Sequence, residues 1–177
     1  MRTSNLFNQR IPIRILSSCL GAEGESGGFI VSRALSIDHP FILDADAGAT
    51  GRNRDRFGCE GERFLRMEGQ EVYKFAVRVL QESLQKAVEK AGLTVEDLDW
   101  VVPHQANIRI LETAARRLGL PMERMVVEIA GMGNASSASI PVCLDRMVRD
   151  GRLVRGQTLG LVGFGGGLTY GALLLQY

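Results

Sequence analysis

The sequence predicts an α/β fold with a mostly parallel sheet, covered by helices and completed by an antiparallel strand at its carboxyl end. From Gln70 onward, apolar residues recur at helical spacing in three segments. Short and almost continuously apolar runs separate these segments, as is typical of strands buried on both faces. Near the end of the chain, two apolar runs at 158–164 and 168–176 are joined by three glycines. That link is too short for a parallel crossover, so the last strand should run antiparallel.

The helical segments carry recognisable start and stop signals. The first is predicted from Gln70 to Gly92, because glycine is common just after a helix end. The second is predicted over 107–118, with Asn107 as its amino-terminal cap and Gly119 as its stop. Its expected inward residues are Ile108, Leu111, Ala115 and Leu118. The third follows the loop GMGNASSAS and continues to Asp150.

Strands are predicted at 13–20, 29–36, 100–104 and 125–129, where branched and apolar residues cluster. Residues 38–62 have no hydrophobic period and should form a long surface loop. The chain is therefore divided into an N-terminal segment, 1–62, with a few strands and the long loop, and a C-terminal domain, 63–177.

Composition excludes several classes of function. The net charge is +1, so nothing favours nucleic acid or a membrane surface overall. No apolar run approaches the roughly 20 residues of a membrane span, and no signal peptide is recognisable, which favours the cytoplasm. Three separated cysteines and two histidines predict neither a metal site nor a disulfide framework. No cofactor is implied.

Three polar loops should follow the carboxyl ends of the central strands: PHQAN at 103–107, GMGNASS at 131–137 and FGGG at 164–167. Ligands of open parallel sheets bind at those ends. Each loop also has a purely structural interpretation. His104 can be a buried hydrogen-bonding residue, Asn134 a turn residue, Gln105 and Asn107 helix-start residues, and the glycines a hairpin. The combination of all three loops favours a functional site.

The motifs VVPHQANIRI, GMGNASSASIPVCLD and GFGGGLTYGALLL resemble the C-terminal signatures of beta-ketoacyl-acyl-carrier-protein synthase III. RMEGQEVYKFAV and ILSSCLGAEGESGG are similar to earlier parts of that family. The similarity is nearly gap-free over 63–177 and patchy over 13–30. It implies the C-terminal half of a thiolase-like fold.

Members of that family condense an acyl group with malonyl on acyl carrier protein, with loss of carbon dioxide. The resemblance implies that His104 and Asn134 are catalytic and face the malonyl thioester. Gly166 would donate its N–H to an oxyanion, and Phe164 would pack near the departing carboxylate. Gln105 and Asn107 would either contact pantetheine or support the site from behind.

The resemblance also implies partners. Acyl carrier protein would dock on basic residues at family positions, namely Lys74, Arg109, Arg116 and Arg117, and Arg78 could join them. A solvated charged helix face is the other interpretation of these residues. CoA or pantetheine thioesters would be the small ligands, and a homodimer or a complementing N-terminal half the macromolecular partner.

The nucleophilic cysteine of the family belongs to a region that precedes all the matched motifs. Cys19, Cys59 and Cys143 do not lie at a predicted helix start beside a basic group, the setting that activates a thiol. The chain alone should therefore be inactive. The alternative function is a non-catalytic half that binds the carrier protein or complements a partner chain.

Dinucleotide binding is a third class, suggested by the GxG in GMGNASS. Ser136 stands where the third glycine of that fingerprint belongs, which argues against it.

Overall fold

The computed structural model describes residues 13–23, 30–32 and 65–177. The strands are β1 (Arg14–Ala22), β2 (Ile30–Ser32), β3 (Leu65–Met67), β4 (Trp100–Pro103), β5 (Thr158–Gly165) and β6 (Thr169–Gln176). The helices are α1 (Gly69–Lys90), α2 (Ile108–Leu118), α3 (Ile129–Met132) and α4 (Ser139–Arg149). The surface loop predicted at 38–62 lies outside the described residues, as do 29 and 33–36 of the predicted second strand.

The α/β class is confirmed, but the sheet is mixed rather than mostly parallel. Its strand order is β1-β6-β5-β4. Only β4 and β5 pair in parallel, whereas β5–β6 and β6–β1 are antiparallel. The antiparallel final strand is therefore confirmed. The parallel share is smaller than predicted because β1 joins the far edge against β6, and because 125–129 forms no strand. β2 and β3 form a separate antiparallel pair.

Helices cover both faces of the sheet. Val101 and Val102 are adjacent on β4 and therefore point to opposite faces. Val101 packs in a core with α1 and α2, whereas Val102 packs with Cys143 and Met147 of α4. No helix in the described part of the chain is long and apolar enough to cross a membrane.

The helix predictions hold in most details. α1 ends with Ala91 as its cap, followed by Gly92 with φ of 70°, a conformation that glycine adopts at low cost. The Asn107 side chain caps α2 by accepting a hydrogen bond from the Arg109 N–H at 2.9 Å, and Gly119 ends it. Leu111 is buried as expected, but Ile108 is 37% exposed, so its inward placement was wrong. As the first residue of the helix, Ile108 lies at the rim of the packed surface.

The segment predicted as a strand at 125–129 is irregular instead, and hydrogen bonds hold it to the Gln105 side chain. A single parallel bridge joins Met125 to Val101. Beyond it, the fully buried Gln105 side chain acts as the hydrogen-bonding partner that a strand would supply. Its Nε2 donates to the Val126 carbonyl at 3.0 Å, and its Oε1 accepts from the Glu128 N–H at 2.8 Å. The buried backbone is thus paired without a β-ladder.

Substituting Gln105→Leu should destabilise the fold, because it leaves the Val126 carbonyl and the Glu128 N–H without their partner. Each buried, unsatisfied polar group costs about 1–3 kcal/mol, so we expect unfolding free energy to fall by about 2–5 kcal/mol. Urea denaturation measures the change. The matched control is Gln85→Leu on α1, at a half-buried site, which should shift stability by less than about 0.5 kcal/mol. Equal urea midpoints for the two variants would contradict the role of Gln105 in holding this segment.

Candidate functional site

His104 lies directly beyond the end of β4, on the edge where β5 also ends. Its backbone N–H donates to the Val162 carbonyl at 2.8 Å, extending the parallel pairing by one residue. The side chain is half-buried. Desolvation lowers the pKa of His104 below its ordinary value. The imidazole is therefore neutral at neutral pH, with one ring nitrogen that donates and one that accepts.

An aromatic cluster lies against His104. The Phe164 ring, near the end of β5, meets the imidazole edge to face with 5.4 Å between the ring centroids. Phe75 of α1 meets Phe164 at 6.2 Å and Tyr170 of β6 at 6.1 Å. The structure thus brings His104 and Phe164 together, in surroundings that reduce access of water to the imidazole.

Ser139 is a site residue that the sequence did not reveal. Its hydroxyl lies 2.7 Å from Nδ1 of His104 and accepts a hydrogen bond from the Gln105 N–H at 3.3 Å. Ser139 is fully buried at the first residue of α4. The available signal was its position at the entry to the third helix, but the motif holds three serines that sequence alone does not rank.

Asn134 lies on the loop that leads from α3 into α4. Its Oδ1 accepts a hydrogen bond from the Ser136 N–H at 3.0 Å, which assigns the oxygen of the amide to the loop side. The amide nitrogen is thereby oriented away from that backbone as a donor. The side chain is exposed. Its convergence on His104 stays a prediction.

Gly166 begins the short turn Gly166–Leu168 that links β5 to β6. It is exposed, and its carbonyl accepts from the Thr169 hydroxyl at 3.2 Å. Gly167 has φ of 72°, a conformation that favours glycine at the tip of this turn. The assignment of the Gly166 N–H as an oxyanion donor stays a prediction.

Gln105 and Asn107 occupy different environments. Gln105 has no exposed surface, and its amide also donates to the Pro103 carbonyl at 2.8 Å. This burial favours the supporting role over contact with pantetheine. Asn107 is exposed and caps α2.

The basic residues lie on neighbouring helices. Arg109, Arg116 and Arg117 are exposed and surround Thr113 at helical spacing on α2. The Tyr73 hydroxyl of α1 lies 2.8 Å from the Thr113 hydroxyl, which brings the two helices together there.

Two further cations, both on α1, are engaged by carboxylates. Lys74 is exposed and pairs with Glu71 at 2.8 Å. Arg78 forms a fork with Glu23, 2.7 Å at its shorter distance, and lies 3.5 Å from Glu82. These pairs leave Arg78 less available to a partner than the arginines of α2.

The cysteines that the structure describes have no nucleophilic setting. Cys143 is fully buried inside α4, and desolvation, with a smaller contribution from Glu128, raises the pKa of its thiol to about 11. Cys19 is partly exposed on β1. Cys59 lies outside the described residues.

Comparisons with known proteins agree with the motif resemblance. The family model for the C-terminal part of 3-oxoacyl-[acyl-carrier-protein] synthase III matches residues 88–177. A beta-ketoacyl-[acyl-carrier-protein] synthase III from Clostridium acetobutylicum is 40% identical over 92% of this chain and 46% of its own length. One from Laribacter hongkongensis is 46% identical over 87% of this chain and 50% of its own length.

Solved structures show the same fold. The synthase III of Thermus thermophilus superposes with a TM-score of 0.76 at 40% identity, over 95% of this chain and 47% of that one. The chain thus spans about half the length of the relatives it matches. The family match covers the strand end that carries His104, the loop that carries Asn134 and the turn that carries Gly166. On these grounds, the chain belongs to the beta-ketoacyl-acyl-carrier-protein synthase III family and corresponds to its thiolase-like C-terminal half.

Proposed function

We propose that this chain supplies the decarboxylating side of a synthase III active site. In that reaction, a malonyl group held as a thioester on acyl carrier protein loses carbon dioxide and attacks an enzyme-bound acyl group. The observation that carries the proposal is the neutral, half-buried imidazole of His104, held at the joint end of β4 and β5 beside Phe164.

The chemistry requires hydrogen-bond donors where negative charge develops. Loss of carbon dioxide leaves an enolate, whose oxygen is stabilised by donors that are already in place. A neutral imidazole and a carboxamide can both donate without losing a proton, which suits His104 and Asn134. The Asn134 amide is oriented by the Ser136 N–H, which supports this role. Phe164 contributes an apolar wall that disfavours the charged carboxylate relative to neutral carbon dioxide.

The acyl group itself needs a nucleophile, and neither described cysteine is suited to that role. Cys143 is buried with a raised pKa, and Cys19 lies on a strand rather than at a helix start. Cys59 lies in a stretch of sequence without helical periodicity, so it is not at a predicted helix start either. We therefore assign the nucleophile, and the other walls of the site, to the half of the relatives that this chain does not match.

A hybrid enzyme tests the proposed roles. This chain replaces the aligned part of the Clostridium acetobutylicum relative, and condensation of acetyl-CoA with malonyl carrier protein is measured. His104→Ala and Asn134→Ala should each lower the condensation rate about 10²–10³-fold, because each removes one enolate donor. Both variants should still form the acyl-enzyme, as measured by mass spectrometry.

The matched control in the hybrid is Thr94→Ala, which removes an exposed cap residue of the short helical turn at 95–97. It should cost about 1 kcal/mol of stability and leave the rate nearly unchanged. An active hybrid in which His104→Ala and Asn134→Ala keep the parental rate would refute the proposal.

The 177-residue chain alone should not condense acetyl-CoA with malonyl carrier protein. The reason is the missing nucleophile and the missing walls around the enolate. Transfer of radiolabelled acetyl groups into the condensation product measures this directly, and sustained turnover would show that a residue of this chain replaces the nucleophile.

A second candidate function is a non-catalytic half that binds acyl carrier protein or complements a partner chain. The observation that favours it is the exposed group of Arg109, Arg116 and Arg117, for which no ion pair is found within the described ranges. Acidic partners are attracted to such groups, mainly through faster association at low salt.

Charge reversal tests this surface. The double variant Arg116→Glu and Arg117→Glu should weaken binding of acyl carrier protein about fivefold to thirtyfold, corresponding to roughly 1–2 kcal/mol. It should also reduce the salt dependence of binding, measured by titration calorimetry at two ionic strengths. The matched control, Lys86→Glu with Arg149→Glu, makes the same change in net charge on exposed positions elsewhere. Equal weakening by both pairs would exclude a local docking surface. Carrier-protein binding combined with an inactive hybrid would favour the second function over the first.

A further inference from the structure

We propose that Ser139 is a positioning residue that fixes His104 as the tautomer with its proton on Nε2. The basis is a three-membered hydrogen-bonded arrangement of the Ser139 hydroxyl, Nδ1 of His104 and the Gln105 N–H. The tautomer assignment itself is argued from these hydrogen bonds alone. Only its importance for catalysis rests on the proposed function.

The Ser139 hydroxyl has one proton, and the direction of that proton determines the tautomer of His104. The Gln105 N–H can only donate, so it occupies a lone pair of the Ser139 oxygen at 3.3 Å. Within the described part of the chain, the other hydrogen-bonding partner of that oxygen is Nδ1, at 2.7 Å. The hydroxyl proton is therefore directed to Nδ1, which acts as the acceptor. A neutral imidazole that accepts at Nδ1 carries its proton on Nε2.

The Ser139 hydroxyl is held rigidly enough to make this choice. Ser139 is fully buried as the first residue of α4. Gln105, whose N–H orients the hydroxyl oxygen, is itself fully buried and anchored by its own side chain to the Val126 carbonyl and the Glu128 N–H. Rotation of the hydroxyl away from Nδ1 would lose a short hydrogen bond inside the fold, where an unpaired polar group is costly.

The tautomer determines what the imidazole offers to a ligand. With Nδ1 engaged by Ser139, Nε2 is the remaining ring nitrogen, and its proton makes it a donor. A thioester enolate requires such a donor. The opposite tautomer would present a lone pair to the enolate oxygen and repel it.

Nitrogen-15 NMR of the histidine side chains tests the proposal without any activity measurement. The chain has two histidines, and His39→Gln leaves the signals of His104 alone. At about pH 8, above the ordinary histidine pKa of about 6.5, a two-bond ¹H–¹⁵N spectrum should show Nε2 at a protonated shift and Nδ1 at an unprotonated shift. In Ser139→Ala the two shifts should move toward each other as the tautomers mix.

Ser83→Ala is the matched control. Ser83 is another fully buried serine, and its hydroxyl donates to the Val79 carbonyl of α1 rather than to a histidine. This variant should lose stability while leaving the His104 spectrum unchanged. Should Ser139→Ala fail to fold, Ser139→Cys keeps the volume with a much weaker donor, and should shift the spectrum in the same direction.

Two results would overturn the proposal. One is a parent spectrum with the proton on Nδ1. The other is an unchanged His104 spectrum in a folded Ser139→Ala or Ser139→Cys variant. Neither result depends on the hybrid enzyme, so the tautomer proposal and the proposed function can fail separately.

Discussion

The parallel pairing of β4 with β5 is the constraint on which the candidate site depends. Because the two strands run in the same direction, their carboxyl ends lie at one edge, and the pairing continues to the bond between the His104 N–H and the Val162 carbonyl. That bond places the imidazole beside Phe164. α4 then packs on the same end of the sheet and delivers Ser139 to the imidazole. His104, Phe164 and Ser139 are distant in sequence, and they meet because β4 and β5 run in the same direction.

Local sequence signals predicted the helices well, since their causes are local. The apolar spacing of α1, the cap supplied by Asn107 and the glycine stops act within a few residues of each helix end. The segment 125–129 reads as a strand for the same local reasons, yet its hydrogen bonds are supplied by a glutamine some twenty residues earlier in the chain. Sequence pattern alone could not reveal that partner. The pairing of β1 with β6 could not be predicted from local sequence either, because no feature of one strand identifies the other as its partner.

The candidate site was predicted unevenly for a related reason. His104 and Asn134 stand out as polar residues beside apolar runs, and the motif resemblance gives them roles. Ser139 has neither advantage, because a small polar residue at a helix start is usually a cap. Here it lies under the imidazole instead. Gln105 looks like a residue that meets ligand, but its complete burial favours a role in holding the backbone.

The pairing of β1 with β6 has a consequence for how the chain acquires its structure. Arg14 is opposite Gln176, so one edge of the sheet joins segments that are far apart in sequence. β1 and β6 can therefore pair only after the long intervening stretch of chain has brought them together, which costs loop-closure entropy. Such high contact order slows folding, and a strand edge that stays unpaired during folding invites aggregation. We therefore expect closure of this edge to be among the slow steps of folding.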